Sequence, residues 1–194
     1  DEVGLCFCFA RTMHPAMRHV APVRAKLGIR TIFNLLGPLS NPAGADFQLL
    51  GTGLPDVREK LAQALLLLNI QRAVLITGEG GLGEVNPAGD TAVTIAEDGM
   101  LNELTWAPDD FGVPTQPLDA LEVEDAAGSA AVIRDVLDAK PGPARKMILL
   151  NAAAAIWTAR SEESPTRCAE LAAEAIDSGA AKEQLARLVK ISNA

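Results

Sequence analysis

At 194 residues the chain can bury a sizeable core, and 48% apolar against 22% charged residues excludes a disordered chain. No apolar run reaches the roughly 18–20 residues of a membrane span. A net charge of −8 repels polyanions, so a nucleic-acid partner would need a local basic patch to override it.

Aromatic residues make up only 4%, with no Tyr, while Ala and Leu abound. That composition favours helices packed on a sheet over a β-sandwich. The three cysteines are an odd number without framework spacing. Cys6, Cys8 and Cys168 read as buried free thiols of a reducing cytosol, which places the protein in the cytoplasm.

In chain order, Val3 to Ala10 reads as a strand covered on both faces. The opening DEVGLCFCFA has neither an initiator Met nor a basic leader. A start so close to a core strand raises the expectation that an N-terminal part is missing. His14 to Leu27 has a helical pattern interrupted at Pro22, which predicts two short helices, the second starting near that proline. Gly37-Pro38 and Asn41-Pro42 mark a loop, with Asn34 and Asn41 capping its turns.

Phe47 to Thr52 reads as a strand, Pro55 to Leu68 as a helix with Val57, Leu61, Leu65 and Leu68 on one stripe, and Ala73 to Thr77 as a buried strand. Strand, helix and strand in that order predict a right-handed parallel crossover. Thr91 to Ala96 and Met100 to Thr105 flank Glu97-Asp98-Gly99, a hairpin signal. Trp106 to Leu121, broken by prolines and containing PDDFG, reads as a loop passage. Helices follow over Ser129 to Ala139, Pro143 to Ala159, Thr166 to Ser178 and Ala181 to Ile191. The expected fold is one α/β domain over residues 1–194: a mainly parallel central sheet, flanking helices and a small β-hairpin excursion.

Arg18, Arg24, Lys26 and Arg30 crowd a short segment ahead of the apolar run TIFNLLGPL. Charges placed so close to a core suggest a site for an anion. A guanidinium matches a carboxylate with two parallel hydrogen bonds, although by residue type alone an Arg in a helix is most often solvated or in a surface ion pair. His14, alone before a proline, reads first as a structural group.

Gly78 to Gly83, GEGGLG, satisfies G-x-G-x-x-G after a strand, with Asp98 about 20 residues on, as in a dinucleotide fingerprint. That motif must open a helix whose N-terminus receives the pyrophosphate. Here VNPAGD and another strand follow, so the dinucleotide reading fails. Glu84, by residue type alone, is a solvated loop carboxylate.

The wording of HPAM, PVR and LGIRTIFNLLGPLSNP closely resembles the anthranilate phosphoribosyltransferases, and the likeness runs on through QLLGTG, GLGEV, PDDFG, LLNAAAAIW and EAIDSG. The resemblance implies part of the large domain of that nucleoside phosphorylase/phosphoribosyltransferase fold. It implies transfer of phosphoribosyl from phosphoribosyl pyrophosphate to anthranilate in tryptophan biosynthesis, with Mg²⁺ as cofactor and a homodimer at full length. It maps the Arg that holds the anthranilate carboxylate onto Arg24 and puts His14 near the anthranilate access path as a candidate contact.

An adjacent Asp-Glu pair of the family helps to hold Mg²⁺; here Glu84 takes the Glu position, but Gly83 stands where the Asp is expected. Thr77-Gly78 replaces a His-Gly. The family's GTGGD loop, its KHGN segment and its N-terminal helices have no counterpart, so the expectation is a C-terminal portion that does not turn over alone. Pyrimidine nucleoside phosphorylase shares the architecture but fits PVR and NLLGPLSNPA less well. A non-catalytic paralogue binding nucleic acid or another partner gains footing from Gly83 and loses it from the acidic balance.

Overall fold

A computed structural model describes residues 3–13, 19–29 and 32–193, with the backbone alone at several helical positions, Arg24 and Asn34 among them. The elements run α1 (Ala10–Met13), α2 (Ala21–Leu27), α3 (Phe33–Leu39), β1 (Phe47–Gly51), α4 (Pro55–Leu67), β2 (Arg72–Gly78), β3 (Thr91–Glu97) and β4 (Met100–Trp106). Helices α5 (Ala126–Leu137), α6 (Pro143–Ala159), α7 (Pro165–Asp177) and α8 (Ala180–Ser192) complete the chain.

The sheet order is β1-β2-β3-β4. β1 and β2 are parallel, Leu49 opposite Val74, and α4 connects them as the crossover. β3 joins β2 antiparallel, Ile76 opposite Val93, and β4 joins β3 antiparallel. The α/β architecture with flanking helices is therefore present, but the sheet is mixed, with a single parallel pair among the described residues. The hairpin is no excursion. Its first strand, β3, lies inside the sheet with Val93, Thr94, Ile95 and Ala96 all buried.

All of β2 is buried, so alternate residues serve two cores. Ala73 and Leu75 pack with Leu61, Ala62 and Leu65 of α4. Val74 and Ile76 face the other way, onto Leu150, Ala153 and Ala154 of α6 and Cys168 and Ala169 of α7. Burial and the nearby Glu163 carboxylate push the Cys168 thiol up from its ordinary value. Alanines at these α6 positions let the helix lie close on the sheet.

At the sheet's end Trp106 makes edge-to-face contacts with Phe111 at 5.3 Å and Trp157 at 5.2 Å. The Arg72 guanidinium, 4.5 Å from the centre of the Trp157 ring, pairs with Glu97. PDDFG forms a tight turn over Pro108–Phe111, in which Asp110 Oδ2 accepts from the Ala107 amide at 2.7 Å. It seats Phe111 in the core, within the passage expected to be plain loop.

Other expectations need correction. Residues 3–9 form no strand, and Phe7 is 81% exposed. An apolar run becomes a strand only with a partner for its backbone groups, and the one backbone bond within this segment is local, Phe9 N–H to the Phe7 carbonyl. Cys6 is therefore exposed, not buried, with its sulfur 3.7 Å from that of Cys8.

Gly37-Pro38 lies inside α3. A proline beside the last residue of so short a helix removes one donor, and the Pro38 carbonyl accepts from Gln48 Nε2 at 2.9 Å. Asn41 does cap its turn, accepting from the Ala43 amide at 2.9 Å, while the side chain of Asn34 is not among those described. The helix α5 starts at Ala126, ahead of the expected Ser129, because Asp125 Oδ1 caps the Gly128 amide at 2.7 Å. Helix α2 starts just before Pro22, as expected; the other half of that predicted pair falls on residues 14–18, outside the described residues.

Leu150 is fully buried between α6 and the sheet. Leu150→Ala should lower the unfolding free energy by about 2–5 kcal/mol. Leu67→Ala, at a side chain 83% exposed, should change it by less than about 0.5 kcal/mol. Urea denaturation of both variants checks the contrast.

Candidate active site at the glycine-lined loop

Ligands of open α/β sheets bind outside the carboxyl ends of parallel strands. Here those ends belong to β1 and β2, and the turns leaving them touch backbone to backbone. A Cβ built on Gly51 would run into the carbonyl oxygen of Gly83, and one on Gly53 would lie 2.5 Å from that of Gly81. At Gly78 it would lie 2.9 Å from the Glu84 carbonyl oxygen. The glycines of QLLGTG and GEGGLG are thus two halves of one close contact. They do not cradle a dinucleotide, and no helix follows the second motif.

The loop is tight. Gly80 and Gly81 turn it with φ of 78° and 83°, where side chains are disfavoured. The amides of Gly81 and Leu82 both donate to the Gly78 carbonyl, at 3.0 and 3.2 Å, and the Gly78 amide donates back to the Leu82 carbonyl at 2.7 Å. Further along, the Asn86 amide donates to Thr91 Oγ1 at 2.8 Å, and the Ala88 amide to Asn86 Oδ1 at 2.9 Å. Val85 and Asn86 are buried, whereas Glu84 between them and Gly83 is exposed. The result is one carboxylate held out from a pinned backbone at the mouth of the parallel pair.

Gly83 does not need to be glycine for lack of space. A Cβ there would sit 3.6 Å from Gly51 C and 3.7 Å from the amide nitrogens of Thr52 and Gly53, ordinary contact distances. Thr77, at the other departure from the family's wording, is buried with its hydroxyl unpaired among the described residues. No group of three or more His, Cys, Asp or Glu side chains able to hold a metal occurs among the described residues.

Gly83 and Glu84 are thus together on one loop. Arg24 is placed by its backbone only, in the first turn of α2, and His14 lies outside the described residues. Sequence reasoning did not single out Gly51, Asn86 or Asn151 as parts of this site. The signal for them was present as a glycine ending a strand and an asparagine inside an alanine-rich helix.

The chain belongs to the glycosyl transferase family, matching its a/b domain over residues 1–182. Anthranilate phosphoribosyltransferases are among its relatives. That of Nitrosomonas eutropha is 45% identical over 192 residues, 99% of this chain and 56% of the relative. The Thermomicrobium roseum protein is 43% identical over 197 residues and is covered to 57% of its length.

The crystal structure of the Thermus thermophilus anthranilate phosphoribosyltransferase matches all of this chain with 57% of its own, at 40% identity and a TM-score of 0.90. The Saccharomyces cerevisiae enzyme in complex with PRPP and Mg matches 91% of this chain with 51% of its own, at 27% identity and a TM-score of 0.84. The chain thus spans a little over half the length of these relatives.

The backbone contact should be intolerant of any side chain. Gly51→Ala is expected to cost about 1–3 kcal/mol by overpacking and to speed amide exchange in residues 79–86 while leaving α7 protected. Hydrogen-exchange mass spectrometry reads both.

Proposed function

We propose that this chain forms part of an anthranilate phosphoribosyltransferase, joining the anthranilate nitrogen to C1 of the ribose of phosphoribosyl pyrophosphate. The observation that supports this most is the exposed Glu84 on a pinned loop at the carboxyl ends of the parallel strands, in a chain that aligns almost end to end with such enzymes. In this reading residues 1–194 are one α/β domain from the C-terminal portion. The full-length protein is a cytoplasmic homodimer, with neither nucleic acid nor membrane as a partner. No described helix is long and apolar enough to cross a membrane.

The donor set fits Mg²⁺ in a limited way. Glu84 offers a hard oxygen ligand with no hydrogen bond or ion pair to another described residue. Mg²⁺ keeps several waters and takes one or two carboxylates together with substrate phosphates. One carboxylate therefore suits an ion brought mainly by the pyrophosphate. When bound, the ion would neutralise charge developing on that leaving group.

The chain's own residues have simple tasks. Arg24 holds the anthranilate carboxylate in its planar fork, aiming the amine at C1, and His14 lines the approach. The nitrogen lone pair forms the new bond to C1 as the bond from C1 to the pyrophosphate oxygen breaks, with inversion, and the nitrogen then loses a proton to solvent. Orientation carries much of the barrier lowering in such a step. Glu84 keeps the pyrophosphate end in register.

Loss of anthranilate fluorescence on adding phosphoribosyl pyrophosphate and magnesium tests the reading, comparing this chain with the full-length protein. Turnover by the full-length protein is expected; turnover by neither would overturn it. In the full-length enzyme Arg24→Ala should raise the KM for anthranilate roughly 10–100-fold, the loss of charge-assisted hydrogen bonds, with little change in the KM for phosphoribosyl pyrophosphate. Gly83→Asp has room for its Cβ and should lower the magnesium needed for half-maximal rate by roughly tenfold. A magnesium titration of initial rates reads the shift, and an unmoved curve would remove Gly83 from the metal site.

A further inference from the structure

Asparagine is a poor helix former because its amide competes for backbone hydrogen bonds. Asn151 nevertheless sits within α6, in the run NAAAAIW, part-buried on the way to the sheet. Its side chain is fully engaged. Oδ1 accepts from the Val85 amide at 2.9 Å, while Nδ2 donates to the Met147 carbonyl at 3.0 Å and reaches the Val85 carbonyl at 3.5 Å. The side-chain amide thus pairs with both backbone groups of Val85, as a neighbouring strand would.

Val85 is fully buried and directly follows Glu84. A buried amide left without its acceptor costs about 1–3 kcal/mol, so Asn151 decides where this backbone can rest. The loop has two further anchors: Gly51 beneath Gly83, and Thr91 Oγ1 on the Asn86 amide at 2.8 Å. Among these, Asn151 is the side chain that ties the residue next to Glu84 to a long helix on the far side of the sheet. A carboxylate sharing a phosphate-borne cation must arrive within a few tenths of an ångström of its place.

We infer that Asn151 is a positioning residue: it fixes the Val85 backbone and thereby sets where the Glu84 carboxylate meets the metal and pyrophosphate. This rests on the role proposed for Glu84. It gives the LLNAAAAIW segment a task beyond packing, since Ala153 and Ala154 supply the close approach and Asn151 supplies the clamp.

The test uses the full-length protein and two readouts. Amide exchange at Val85, by NMR, should rise on the order of tenfold or more in Asn151→Ala, with the amides of β2 unchanged. The magnesium needed to half-saturate phosphoribosyl pyrophosphate binding, by titration calorimetry, should rise at least about tenfold, while anthranilate affinity stays within about twofold. Should Asn151→Ala fold poorly, the isosteric Asn151→Asp keeps an acceptor for the Val85 amide and should keep that amide protected. Faster exchange with an unmoved magnesium curve would make the clamp merely structural and overturn the proposal, as would unchanged exchange at Val85. Glu84→Gln separates the layers: if it leaves the magnesium curve unmoved, the underlying role of Glu84 falls, and the positioning role falls with it.

Discussion

A strand buried on both faces has no solvent to satisfy its backbone, so β2 must find hydrogen-bonding neighbours along both edges and apolar cover above and below. β1 supplies one edge and β3 the other. The faces are covered by α4 and by the pair α6 and α7. The polar side chains at its ends meet this demand only in part, since the Thr77 hydroxyl and two of the Arg72 guanidinium nitrogens have no hydrogen-bond partner among the described residues. Arg72 finds Glu97 across the ladder and the face of Trp157, at 4.5 Å to the ring centre, where a cation gains from the ring quadrupole. What leaves the carboxyl end of β2 inherits a fixed origin, and the loop bearing Glu84 starts from that end.

The loop shows how one sequence pattern can serve two unrelated ends. In a dinucleotide site the glycines clear space for a phosphate against a helix terminus. In this chain they clear space for the neighbouring turn, so that the carbonyls of Gly81 and Gly83 can approach Gly53 and Gly51. The contact fixes one side of Glu84 and the buried Val85 fixes the other. A single exposed carboxylate held this way suits a cation that arrives with its substrate, because little is left for the protein to organise.

Much of this was legible in the sequence for physical reasons. Helix α6 has Pro at its first position and a run rich in good helix formers around Asn151, and its ends fall where expected. The strands β1 to β4 were found from apolar runs and the Asp98-Gly99 turn, where both residues take positive φ. Residues 3–9 misled because periodicity reports what a segment can bury, not whether a partner strand is beside it. The start of α5 was missed because Gly128 reads as a helix breaker, whereas the cap at Asp125 and the two alanines before that glycine outweigh it. Gly51, Asn86 and Asn151 were missed because they act on backbone atoms far off in sequence, and no local pattern encodes that distance. Asn151 and Val85 meet only because β3, β4 and α5, which separate them in the chain, fold so as to bring α6 back beside the loop.

The two tryptophans of the chain, Trp106 and Trp157, stand edge to face, with ring centres 5.2 Å apart and planes at 86°. One ends β4 and the other lies in α6, so the pair straddles the seam between sheet and helix. Indoles locked this close and this rigidly share their electronic transitions, and such chiral coupling vanishes once fixed side-chain packing is lost. The molecule therefore carries a built-in optical gauge of the seam between α6 and the sheet. Because α6 also carries Asn151, near-ultraviolet circular dichroism would register whether the helix that steadies the Glu84 loop is seated, with no label attached and no substrate present.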